Sequence, residues 1–232
     1  MPGWFRKASF GLASLLSAGA FVLLLAALAA PRWLHGKILC QTGAELVNAT
    51  GPELATFIGD ISYGLFRGSK VRQCGLGGRQ SQFTVFPHLL RELDAGLHLA
   101  TLLLLVLASA LALVSLGFAV LNTAQVPARA MHGPGGVCLW NVLAGGAVAL
   151  GIASFMAAVK FHDLTERIAN FQEKLFRFVV VEEQYEESFW ICVASAVALA
   201  TNLLVVALSQ VPLPEIKTKV EEATVTAEDI LY

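Results

Sequence analysis

Residues Leu97 to Leu121 read LHLATLLLLVLASALALVSLGFAVL, a run that holds no Asp, Glu, Lys or Arg. A hydrocarbon layer of about 30 Å, crossed at about 1.5 Å per residue, needs about 20 apolar residues, so this stretch can span a bilayer as one helix. Ala8 to Ala30, Val137 to Val159 and Ser188 to Val211 match it in length and are equally free of charge. Burying a charge in lipid is costly, so four uncharged runs point to spans with no ion path to serve. Composition agrees: of 232 residues, 56% are hydrophobic and only 14% charged, against about 25% charged in soluble domains. The mean hydropathy is +0.67.

These totals exclude several classes. A net charge of −1 leaves no basic excess for a phosphate backbone, so no nucleic-acid partner is expected. Apolar content this high excludes a disordered chain. Four cysteines with no CxxC and no Cys/His pair at zinc spacing argue against a metal fold or a redox centre. Arg6 and Lys7 precede an apolar run ending in Ala27-Leu28-Ala29, which also fits a signal peptide. The run exceeds the roughly 7–15 residues of a signal core, so retention as an anchor is the expectation.

Orientation rests on the loops. Counting Lys and Arg is uninformative here, because residues 31–96 form too long a loop and the basic residues of 160–187 are offset by seven acidic ones, Asp163 among them. Asn48-Ala49-Thr50 is the chain's one Asn-x-Ser/Thr sequon and makes Asn48 the candidate glycan acceptor. Cys40 and Cys74, the two cysteines outside the apolar runs, share its loop and can pair only in an oxidising compartment. The expected order is a cytosolic N-terminus (1–7), a first span (8–30), extracellular loop 1 (31–96), a second span (97–121) and a cytosolic loop (122–136). A third span (137–159), extracellular loop 2 (160–187), a fourth span (188–211) and a cytosolic tail (212–232) follow. The fold class is an all-α transmembrane four-helix bundle carrying a small extracellular antiparallel β-sheet.

Within loop 1, strand-like runs fall at 37–41, 70–74 and 82–86, and Gly51-Pro52 opens a short helix reaching about Ile58. Gly75-Leu76-Gly77-Gly78 lacks the Lys-Ser/Thr pair and following helix of a phosphate loop and reads as a hairpin turn. In loop 2, Phe161, Leu164, Ile168, Phe171 and Leu175 fall on one face of a helix continuing the third span, expected to pack on the sheet. Phe178 to Val181 is β-prone and followed by an acidic run, as suits a sheet edge. Gly145/Ala149 and Ala194/Ala198 are small-xxx-small pairs expected to build the bundle, and Asn141 and Asn202 are expected to bond neighbouring helices. Cys138 and Cys192 read as small buried residues.

No enzyme site emerges. Within the spans the ionisable candidate is His98, and His162 with Glu166 lacks a third metal ligand, so no catalytic residue, metal or cofactor is expected. The tail ends in Ile230-Leu231-Tyr232, an apolar terminus of the kind that adds to a PDZ domain as a strand.

Several motifs together carry a resemblance: Pro31-x-Trp33-Leu34, Cys40-x-Thr42-Gly43, Leu46-Val47-Asn48-Ala49-Thr50, Tyr63-Gly64-Leu65-Phe66, Val71 to Gly77 and the Tyr232 terminus. The chain resembles the clarin family, four-span proteins similar in architecture to the claudin-like group. That group carries a Trp, a Gly-Leu-Trp and two cysteines in its first outer loop. Trp33, Gly64, Leu65 and Phe66 match, with Phe66 replacing the second Trp and Cys40 preceding the Gly-Leu-Phe, a departure that argues against claudin-style barriers. The resemblance implies a glycosylated plasma-membrane protein of sensory hair cells that organises and maintains stereocilia and supports mechanoelectrical transduction and hearing. The expected partners are membrane lipid, from the four apolar spans, neighbouring membrane proteins of the stereocilium, from the resemblance, and a PDZ scaffold, from the Ile230-Leu231-Tyr232 terminus. An auxiliary subunit of a transduction channel and an adhesion protein are the alternatives.

Overall fold

The computed structural model describes residues 3–75, 77–85, 96–124 and 133–210. Four long helices dominate: α1 (Gly3–Ala29), α3 (Gly96–Ala124), α4 (Pro134–Phe161) and α6 (Glu187–Leu208). Each is long and apolar enough to cross a membrane. They pack in ring order α1-α3-α4-α6, each against two neighbours. Residues near the start of α1 meet the end of α3, so successive helices run antiparallel and the connections α1 to α3 and α4 to α6 emerge at one end.

At that end lie β1 (Leu34–Cys40), β2 (Ile58–Tyr63), β3 (Arg67–Gln73), β4 (Gly78–Thr84) and β5 (Phe178–Tyr185), joined antiparallel in the order β4-β3-β2-β1-β5. A short α2 (Gln41–Leu46) and a 3-10 helix (Gly51–Phe57) link β1 to β2, while α5 (Leu164–Asn170) precedes β5. A bundle of apolar helices crowned by a small antiparallel sheet is the architecture that the claudin-like resemblance implies. The sheet is no separate domain. Leu24, Leu105, Phe155 and Cys192 of the bundle share one contiguous apolar cluster with Trp33, Ile38, Ile61 and Tyr63 of the sheet region.

Several expectations need correction. β2 goes unforeseen because its inward positions are Gly59, Ile61 and Tyr63, and the glycine interrupts the apolar alternation. Gly59 is required there, since a Cβ would collide with the Val71 carbonyl of β3. Strand β1 starts earlier than expected and stops at Cys40, Gln41 opening α2; β3 and β4 start at Arg67 and Gly78, and the expected end at Phe86 lies outside the described residues. The hairpin turn at Gly75 to Gly78 holds, with Gln73 paired to Gly78.

The helix of loop 2 does not continue the third span. Helix α4 ends at Phe161, and Asp163 adopts a left-handed φ of 46°, which breaks the axis and lets α5 fold onto the sheet. Leu164 and Ile168 are buried there as expected, but Phe161 and Leu175 are more than four-fifths exposed, because the shared face exists only within α5. Strand β5 does lie at a sheet edge. It runs on through the acidic residues to Tyr185, and its register shifts between Lys37 and Ile38 of β1, leaving Val181 as a bulge.

The proposed small-residue pairs also point elsewhere. Added Cβ atoms at Gly145 and Gly146 would meet nothing within 4 Å, and Ala149 and Ala194 are exposed. Close helix approach is made instead by Ala13, Ala20 and Ala27 of α1, Ala108 and Ala112 of α3, and Ala144 and Gly151 of α4, where Leu105 packs against Gly151.

Candidate functional site

Trp33 joins sheet to bundle. Its indole is fully buried, donates from Nε1 to the Ala27 carbonyl at 2.7 Å, and meets the Phe155 and Phe189 rings edge-on at 5.0 and 6.2 Å. Its backbone N–H donates to Tyr63 O and its carbonyl accepts from Glu186 N, so one residue ties α1 to both loops. A buried aromatic with a satisfied N–H combines large apolar burial with a fixed orientation.

Gly64-Leu65-Phe66 forms the facing turn. A Cβ on Gly64 would come within 2.7 Å of Ala30 O and 2.8 Å of Pro31 C, so only glycine lets this turn reach the end of α1. Leu65 is fully buried, and its carbonyl accepts from Nε2–H of the buried His98 at 2.9 Å. His98 is thus a structural pin between α3 and the sheet. Phe66 is 40% exposed, while its carbonyl accepts from Val85 N.

Cys40 and Cys74 are disulfide-bonded, with Cα atoms 5.5 Å apart, linking the end of β1 to the turn after β3. Phe57 packs beside the bridge, against Gly43 and Gly75; Gly75 has a φ of +86°, accessible to glycine at little cost. This contact gives the Cys40-x-Thr42-Gly43 motif its physical meaning. Asn48 sits exposed in the turn after α2 at a φ of 49°, a left-handed conformation that Asn tolerates better than most residues. Cys138 is half-buried and Cys192 buried, both free thiols. Ile230, Leu231 and Tyr232 lie outside the described residues.

The two loops are locked by polar contacts that sequence reading missed. The buried Lys70 of β3 donates to Ala169 O at 3.0 Å and Phe171 O at 3.4 Å, capping α5, and pairs with Glu173 at 3.2 Å. Arg72 reaches the same carboxylate at 2.6 Å. Burial lowers the Lys70 pKa, opposed by the Glu173 carboxylate. Tyr63 and Thr165 share a buried hydrogen bond of 2.9 Å, and burial raises the phenol above its ordinary range. Asn170 pairs its amide with both the N–H and the C=O of Phe178 at 2.8 Å. On the outer face, Lys37 meets Glu182 at 2.8 Å; their hydrogen bond raises the lysine pKa and lowers the carboxyl's, in an exposed pair that contributes little to stability.

Deep in the bundle, Asn202 of α6 donates to Ser17 Oγ of α1 at 2.7 Å and to Asn141 Oδ1 of α4 at 3.2 Å, and Ser17 lies 3.5 Å from Ser115 of α3. All four helices contribute to this buried layer. It separates the small apolar cluster of Phe10, Ala13, Ala119, Val137 and Val206 from the main core. The expectation that Asn141 and Asn202 bond across helices therefore holds; the two serines carried no signal, since Ser is common in apolar helices. Among the described residues, no three His, Cys, Asp or Glu side chains are grouped to hold a metal.

A family model described as Clarin-2-like matches residues 5–206. Clarin-2 of Mus musculus and Clarin-2 of Homo sapiens are each 78% identical over 232 residues, covering the whole of both chains. Clarin-1 of Rattus norvegicus is 36% identical over the same full length. With Trp33 and the Gly64-Leu65-Phe66 turn meeting where the sheet joins the bundle, the Cys40–Cys74 bridge closing the far end of the same strands, and matches of this extent, the chain belongs to the clarin family, within its Clarin-2-like group.

Proposed function

We propose that this chain is a non-enzymatic plasma-membrane glycoprotein that organises and maintains hair-cell stereocilia and supports mechanoelectrical transduction and hearing. Its sheet faces the extracellular side with a glycan on Asn48, both termini are cytosolic, and the Ile230-Leu231-Tyr232 end reaches a submembrane PDZ scaffold. Family membership supports the setting. The observation that carries the mechanism is the common core of sheet and bundle: a contact made on the sheet bears on a body continuous with the helices, so the protein works by placement. Neighbouring membrane proteins of the stereocilium are the partners of that sheet.

The test is crosslinking on intact hair cells, comparing the native chain with Cys40→Ser. Bundle proteins recovered with the native chain and lost with the variant support the reading; equal recovery contradicts it. Recording transduction current before any loss of bundle shape, in cells lacking the protein, separates an organiser from a channel subunit, since current lost from well-shaped bundles favours the subunit.

A further inference from the structure

The outer face of the sheet carries an apolar floor where strand alternation calls for polar side chains. Ile38, Cys40 and Phe178 are buried in the common core, so Leu39 and Val179, paired directly across β1 and β5, fall on the opposite face. With Leu54 they line a groove of about 570 Å³, to which Gln41, Glu45 and Asn48 add polar walls. Strand β1 leaves the bundle at Leu34, and Leu39 stands about 17 Å further along it, away from the acyl-chain layer around the spans. Next to Asn48, Leu46 and Val47 are 76% and 62% exposed. A contiguous apolar surface on the watery side of a protein marks a place that something covers.

The wall of the groove is itself an attachment point. Asn48 both lines it and opens the Asn48-Ala49-Thr50 sequon, so a glycan on that side chain begins at the groove. The covalent tether holds the first sugars there at a high effective concentration, and weak contacts are then enough to seat them. A free ligand lacks that advantage. The chemistry also matches: N-acetylglucosamine offers a C–H-rich ring face and an acetamido methyl to the apolar floor, and hydroxyls to the polar walls. Gln41 Nε2 donates to Glu45 Oε1 at 2.8 Å, which leaves Gln41 Oε1 and Glu45 Oε2 to accept from those hydroxyls. Pockets of about 300–1,000 Å³ hold ligands of this size.

We propose that the groove seats the N-acetylglucosamine core of the glycan on Asn48, which covers Leu39, Leu54 and Val179 and ties α2 to β5. The inference rests on the reading of Asn48 as glycosylated and gives that glycan a structural role: it is part of the outer face of the sheet.

The test uses the full glycoprotein, purified from mammalian cells in mild detergent and digested with peptide-N-glycosidase F while folded. Seated sugars are closed to the enzyme, so release from the native chain is expected to be about fivefold slower than from Leu39→Thr/Val179→Thr or Leu54→Ala, the factor that a contact of ordinary hydrogen-bond strength supplies. Val181→Thr, at an exposed position further along β5, leaves the rate unchanged. With no substitution at all, removal of the glycan is expected to lower the melting temperature by about 2–4 °C, and in the groove variants by less than half as much. Equal release from the native chain and both groove variants overturns the proposal, as does a melting temperature that removal leaves unmoved or lowers equally in all forms; the groove then belongs to another occupant while Asn48 remains glycosylated. A chain that loses no mass on digestion carries no glycan, which contradicts the glycoprotein reading itself and this proposal with it.

Discussion

Glu173 shows how single residues hold the two loops together. Its carboxylate, 12% exposed, faces both Lys70 and Arg72, and Lys70 is equally shut from water. Removing one partner of a buried pair leaves the other charge uncompensated, at a cost of about 3–5 kcal/mol. Glu173→Gln is expected to lower stability by that order in thermal unfolding of the detergent-solubilised protein, and Lys70→Met added to it is expected to recover much of the loss. Tyr63 gives a second residue-scale prediction. Because burial raises its pKa, the folded state keeps the phenolic proton where the unfolded chain has released it, so stability falls as pH rises above about 10. Lys70, shifted down, contributes with the opposite sign and only below about 10.4, the ordinary lysine value. Tyr63→Phe is expected to flatten the alkaline decline in unfolding curves recorded above that pH. Tyr185, whose pKa burial also raises, leaves a residual slope.

Among the elements, the spans were legible because lipid imposes length and the absence of charge, both read directly along the chain. The Phe178 edge strand and the Gly51-Pro52 turn were legible for local reasons, β-branching and a proline at the start of a helix. Strand β2 was not, since Gly59 is dictated by the backbone of β3, a contact between distant residues. The break at Asp163 was hidden too, because apolar residues at helical spacing run straight across it and only the fold sets its left-handed φ. In the candidate site, Trp33, Cys40, Cys74 and the Gly-Leu-Phe turn were found as a motif, but their division of labour required the third dimension: Trp33 and the turn dock the sheet on α1 and α3, while the disulfide closes the far end of its strands. Between the helices, the layer of Ser17, Ser115, Asn141 and Asn202 fixes which faces meet. Hydrogen bonds between membrane helices average about 0.6 kcal/mol and reach about 1–2 kcal/mol in model peptides. Asn202→Leu, which removes two of them, is expected to cost stability in that range and to broaden the unfolding transition. A sharp, unshifted transition contradicts a registering role.

At the scale of the whole molecule, one apolar core runs from the sheet to the middle of the bundle, and a covalent bridge between Cys40 and Cys74 closes a loop with a sequence separation of 34. A loop of that length is worth about 4 kcal/mol in the chain-entropy account. The arrangement is a sheet platform continuous with the helix bundle, and in the proposed reading it holds neighbours in place. Its use depends on which side the platform faces. The deciding measurement is glycosidase digestion and membrane-impermeant thiol labelling on intact cells that express the chain with a cysteine added at Asn48 or in the tail. The account predicts a glycosidase-sensitive mass shift that Asn48→Gln abolishes, label at position 48 without permeabilisation, and label in the tail only after it. Tail labelling on intact cells, with position 48 protected and no glycan on Asn48, would contradict it.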